Sequence, residues 1–179
     1  MLKWLLGAVI AATPIAAQAQ SVTIARGEAV TLALDEASGK TTPREIDRKP
    51  APDASVFETA VAAKFAGGAF DNATGANGQP MTDAQIGAAS PRAAPNTVQL
   101  HFFRTPTKDQ SLLVIANGYD RGMVYRATMH VKGQSQATDV CVVMPGKVGL
   151  ELWRFAIDSL NLSDIKLVPW KPEDGIVCA

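Results

Sequence analysis

VQLHFFR (residues 98–104), SLLVIANGYDRG (111–122), MVYRATMHV (123–131) and TDVCVVM (138–144) are the most strongly patterned segments of the chain, and their reading decides the fold. In the first, Val98, Leu100 and Phe102 alternate with Gln99, His101 and Phe103; in the third, Met123, Tyr125, Ala127, Met129 and Val131 alternate with Val124, Arg126, Thr128 and His130. Successive side chains of a strand point to opposite faces, so this alternation predicts strands with one buried face. Leu112 to Ala116 is apolar throughout, which predicts a strand covered on both faces. Asn117-Gly118-Tyr119-Asp120-Arg121-Gly122 is dense in residues that tolerate positive φ, and it predicts a hairpin joining the second segment to the third. Lys132-Gly133 ends the third strand. In the fourth segment the alternation turns Val140, Val142 and Met144 inward and Asp139, Cys141 and Val143 outward, and Pro145-Gly146 stops it.

Upstream of this block, residues 21–24 and 29–34 alternate in the same way on either side of Arg26-Gly27-Glu28, predicting two half-buried strands and a bend. From Asp35 to Asp53 the pattern gives way to polar residues and prolines, which predicts a long surface loop. Ser55-Val56-Phe57-Glu58 has the form of a capping box, with Phe57, Ala60, Val61 and Phe65 following at helical spacing and Gly67-Gly68 as the stop. Residues 66–96 lack periodicity, apart from one short turn capped between Thr82 and Gln85.

Downstream, residues 150–157 predict a strand or a single helical turn carrying Trp153 and Phe155. In the last segment Leu160 and Leu162 share one parity and Ile165 and Leu167 the other. A one-residue bulge near Ser163-Asp164 keeps both pairs inward, because period-two pairing otherwise flips every later side chain. The expected fold is mainly β: an antiparallel sandwich, Ig-like or jelly-roll-like, or a partly open barrel of about seven or eight strands. One short helix belongs to an insertion over residues 36–96, the core sheet region spans 97–168 and the tail 169–179, all within a single domain from residue 20.

The first residues read as a targeting segment. Lys3 gives a positive start, Trp4 to Ala12 an apolar stretch, and Ala17-Gln18-Ala19 a small-residue cleavage site that places the mature start at Gln20. The apolar stretch is much shorter than the roughly 20 residues a membrane span needs, so no stable span is expected after its removal. Export makes a bridge the natural state of the two cysteines, Cys141 and Cys178, which would tie the tail to the sheet. Alanine-rich composition favours the periplasm over the eukaryotic secretory route. Lysine plus arginine equals aspartate plus glutamate at 17 each, and no basic stripe favours nucleic acid.

Little of the chain points to chemistry. Two histidines, His101 and His130, lack the spacing of a metal site, no cofactor motif is present, and Gly133-Gln134-Ser135-Gln136-Ala137 fails the nucleophile-elbow pattern at its last position. No catalytic residue is therefore assigned. If their strands are neighbours, His101, Arg126 and His130, with Thr128 and Asp139, form one polar patch able to take an anionic or hydroxylated ligand; the plain alternative is a solvated sheet face. The expectation is an exported, non-catalytic β-sandwich that binds an envelope protein or glycan. Two alternatives stand beside it: a small hydrolase of envelope carbohydrate using Glu151, Asp158 or Asp164 near Trp153, and a structural subunit of an envelope assembly.

Overall fold

The computed structural model describes residues 21–65, 81–105 and 109–178. The targeting segment Met1–Ala19, the Gly67-Gly68 stop and the rest of residues 66–80 lie outside the described residues. Within them the chain forms β1 (Ser21–Ala25), β2 (Glu28–Ala37), β3 (Lys40–Pro50), α1 (Val56–Phe65), α2 (Asp83–Ala88), β4 (Val98–Arg104), β5 (Ser111–Asn117), β6 (Gly122–Val131), β7 (Gln134–Thr138), β8 (Val148–Trp153) and β9 (Ser159–Val168). These strands make two antiparallel sheets, one of four strands in the order β1-β9-β6-β7 and one of five in the order β3-β2-β4-β5-β8. The sheets face one another as a sandwich. No helix among the described residues is long and apolar enough to cross a membrane.

The core lies where the alternation places it. Val98, Leu100 and Phe102 of β4, Leu113 and Ile115 of β5, and Met123, Tyr125, Ala127 and Met129 of β6 meet Ile24, Leu160 and Leu162 between the sheets. On the other face of the five-stranded sheet, Phe103, Leu112 and Val114 pack under Phe57, Ala60, Val61 and Ala62 of α1 and Ile86 of α2. β5 is therefore buried on both faces, as its continuous apolar run predicts. The β6–β9 register shifts between Val124 and Arg126, and Asp164 takes a φ of 50°. This is the expected bulge, and it buries Leu160, Leu162, Ile165 and Leu167 together.

Four expectations are corrected. Residues 36–96 are not a long loop, because β3 pairs with β2 through a tight turn at Ser38 and Gly39, both at positive φ, while the turn capped between Thr82 and Gln85 is formed as α2. β3 sits at a sheet edge, where Pro43 and Pro50 are tolerated and where its polar side chains face water. Nine strands form among the described residues, and β1 and β2 belong to the core as fully as residues 97–168 do.

The hairpin expected between β5 and β6 does not form, since the two strands lie in different sheets. Asn117 explains the crossing: its Nδ2 donates to the carbonyls of Arg121, Val143 and Met144, and its Oδ1 accepts from the Tyr119 amide. Tyr119 then accepts from the Leu34 amide at 2.7 Å, fastening the corner to β2. A Cβ on Gly118 would fall 2.1 Å from the Ala94 carbonyl oxygen and 2.8 Å from that of Thr97. Neither backbone atom has room to yield, so Gly118→Ala is expected to destabilise by about 3 kcal/mol in urea denaturation.

Beyond β7 the chain leaves the ladder, and Val143 is buried in place of Val142 and Met144. Side chains hold this segment along β8: Glu151 Oε1 accepts from the Cys141 amide at 2.7 Å, Trp153 donates to Thr138 Oγ1 at 2.9 Å, and Gly149 leaves space for Val143. Cys141 and Cys178 are bonded, so the disulfide pins the tail to this seam.

Candidate functional site

The register of the five-stranded sheet sets out the rows on its outer face. Lys49, Ala29, His101, Val114 and Leu150 form one row; Asp47, Thr31, Gln99, Ala116 and Val148 form the next. α1 begins beside the first row and covers the Phe103, Leu112 and Val114 side, where the residues are large. The other side, with Ala29, Thr31, Gln99 and Ala116, carries mostly small side chains that fall short of the height of the helix. A cleft of about 330 Å³ opens there, with these four as its floor and Asp53, Ser55 and Pro91 among its walls. This volume is in the range of small-molecule sites.

His101 and Glu58 lie at the base of the cleft, with side chains 17% and 5% exposed. The capping box seen in the sequence is formed: Ser55 Oγ accepts from the Glu58 amide at 3.2 Å, and Glu58 Oε2 accepts from the Ser55 amide at 2.7 Å. The other oxygen, Oε1, lies 2.6 Å from His101 Nδ1, while His101 Nε2 lies 2.8 Å from the Ala51 carbonyl oxygen. A carbonyl only accepts, so Nε2 carries a hydrogen. Where Glu58 is ionised, Nδ1 carries one too. The histidine is an imidazolium paired with a carboxylate.

Burial pushes the His101 pKa down, but the hydrogen bonds to Glu58 and Ala51 and the Glu58 charge outweigh it and hold the value above the ordinary one. Burial likewise pushes Glu58 up, and its bonds to His101 and Ser55 bring it below the usual carboxylate range. The ring also stacks on Phe103, with centroids 4.8 Å apart. A glutamate on Nδ1 is the orienting half of a hydrolytic triad, which requires a nucleophile on Nε2; here the Ala51 carbonyl occupies that position. The pair fastens α1 and the preceding turn to the sheet.

The predicted patch of His101, Arg126 and His130 is split between the two sheets. His101 faces outward from the five-stranded sheet; Arg126 and His130 face outward from the four-stranded one, across the sandwich. The physical reason is the crossing at Asn117, which sends β6 into the opposite sheet. Arg126 lies 3.5 Å from Asp164, with both side chains mostly exposed, and His130 Nδ1 lies 2.9 Å from Ser135 Oγ. Arg126, Thr128 and Asp139 do line one shallow hollow of about 770 Å³, together with Asp164 and Lys166. Its charges are mixed in sign and open to water.

The acids near Trp153 in sequence have separate partners. Glu151 accepts from Cys141 and from Tyr125 Oη at 3.3 Å, and burial raises its pKa. Asp158 accepts from the Lys132 amide, and Asp164 lies beside Arg126. Trp153 is 8% exposed and offers no platform to a sugar ring.

Sequence reasoning named Glu58 as a cap and His101 as a candidate but did not join them; the capping box was the available signal. No family model, curated protein or solved structure matches the chain.

Proposed function

We propose that this chain is an exported, non-catalytic β-sandwich that binds an envelope-derived ligand in the cleft over Ala29, Thr31, Gln99 and Ala116. The observation that carries the proposal is a sheet face that the described residues cover only by half, with small residues beneath the open half and an ion pair at its base. A pre-formed cleft that mixes apolar side chains with a few polar groups is what a recognition site requires. The disulfide is in keeping with an oxidising compartment, and the leader of residues 1–19 supplies the route. Cell fractionation with N-terminal sequencing is expected to find a protein that starts at Gln20 outside the cytoplasm.

The binding test is a thermal-shift panel of amino acids, dipeptides, short glycans and organic acids, run on the natural chain and on Ala29→Leu. Leucine at position 29 fills the space above the floor without disturbing the sandwich. At least one class is expected to raise the melting temperature of the natural chain and to leave that of Ala29→Leu unchanged. Equal shifts in both proteins would place binding elsewhere.

A further inference from the structure

The charge around the cleft narrows the ligand class, given the reading that the cleft is the binding site. On the β2–β3 hairpin, Arg44 pairs with Asp35, and Arg48 pairs with Glu28 and Glu45. Lys49, one residue further on, and Asp53, in the following turn, both line the cleft and have no ion-pair partner among the described residues. At the base, the His101 and Glu58 charges cancel, and both ring nitrogens are engaged. At the N-terminus of α1 the capping box engages the Ser55 and Glu58 amides. Of the charged side chains that line the cleft, Lys49 and Asp53 are the two left to meet a ligand carboxylate or ammonium.

We infer that the cleft takes a small zwitterion with a short apolar body, of which a free dipeptide is the type, its carboxylate toward Lys49 and its ammonium toward Asp53. Both side chains are exposed at the cleft, so a zwitterion is the class that gains from the two of them together. Gln99 and Thr31, in the row next to Ala29, also line the cleft and offer it an amide and a hydroxyl with no side-chain hydrogen bond among the described residues. Ala29 and Ala116 leave room for side chains no larger than a few carbons. Among the described residues no Trp, Tyr or Phe lines the cleft to offer the stacking surface that sugars use.

The test uses four probes: Ala-Ala, its N-acetyl form, its C-terminal amide, and the form blocked at both ends. Binding is followed by amide-resolved NMR titration of the natural chain, Lys49→Gln and Asp53→Asn. Ala-Ala is expected to shift Ala29, Gln99 and Ala116 saturably, and blocking either end to weaken it about five-fold, the scale of one exposed ion pair. Lys49→Gln should weaken Ala-Ala while leaving the amide unchanged; Asp53→Asn should weaken Ala-Ala while leaving the N-acetyl form unchanged. Equal affinity for the doubly blocked form would overturn the zwitterion and keep the cleft. No shift with any probe, beside a panel ligand of another class that Ala29→Leu abolishes, would do the same. No saturable shift at the cleft with any probe or panel ligand would overturn both.

Discussion

Glu58→Ala is expected to lower the stability of the fold by about 3 kcal/mol in urea denaturation, because it leaves a buried imidazolium without its partner and removes a helix cap. The series around it separates the two contributions. Ser55→Ala removes only the cap and should cost about 1 kcal/mol. Glu58→Gln keeps a residue that can still reach the Ser55 amide, so its cost falls between the two and reports the charge.

The pair also fixes the pH dependence. Since His101 is held above its ordinary pKa, its contribution is complete below about 6.5 and fades as pH rises through the raised folded-state value. Since Glu58 is held below its ordinary value, its contribution is complete above that value and fades as pH falls through the lowered one. Stability from the pair is thus greatest between the two. A denaturation series across pH should show an alkaline decline in the natural chain that is absent from His101→Gln. A decline of equal size in both would assign it to other groups.

The second large effect belongs to the tail. Replacing Cys141 and Cys178 together by serine opens a loop with a sequence separation of 37 residues. In the chain-entropy model this costs about 4 kcal/mol. The contacts it holds are few: the Val142 amide donates to the Val177 carbonyl, Trp170 lies over Gly122, and Ile176 and Val177 are exposed. The tail should therefore detach while the sandwich persists. Hydrogen exchange is expected to show protection lost at residues 141–143 and kept at β4 and β5. Loss at all strands would mean that the bridge is required for folding itself.

What was legible in the sequence was whatever a single strand or helix enforces on its own residues. The faces of β4 and β6 follow from two-residue alternation, and the bulge at Asp164 follows from a change of parity that has no other remedy. The capping box follows from a local pairing of Ser55 and Glu58. β3 was illegible because a sheet edge needs no apolar alternation: among its residues only Pro43 is buried, Thr41 and Thr42 are half-buried, and the rest face water.

Sheet membership was illegible for a different reason. A turn-rich segment reads alike whether it reverses a hairpin or crosses to another sheet, and the difference lies in three carbonyls reached by the Asn117 side chain, two of them more than twenty residues away. This one ambiguity moved His101 away from Arg126 and His130. It also hid the partner that His101 does have, because Glu58 meets it only after α1 folds back over β4.

The central claim is that recognition takes place on the half-covered face of the five-stranded sheet. Amide-resolved NMR titration of the natural chain with the tightest ligand from the panel tests it most directly. Saturable shifts are expected at Ala29, Thr31, Gln99 and Ala116, with Arg126, Thr128 and His130 unmoved on the opposite face. Shifts confined to Arg126, Thr128 and His130 would contradict it.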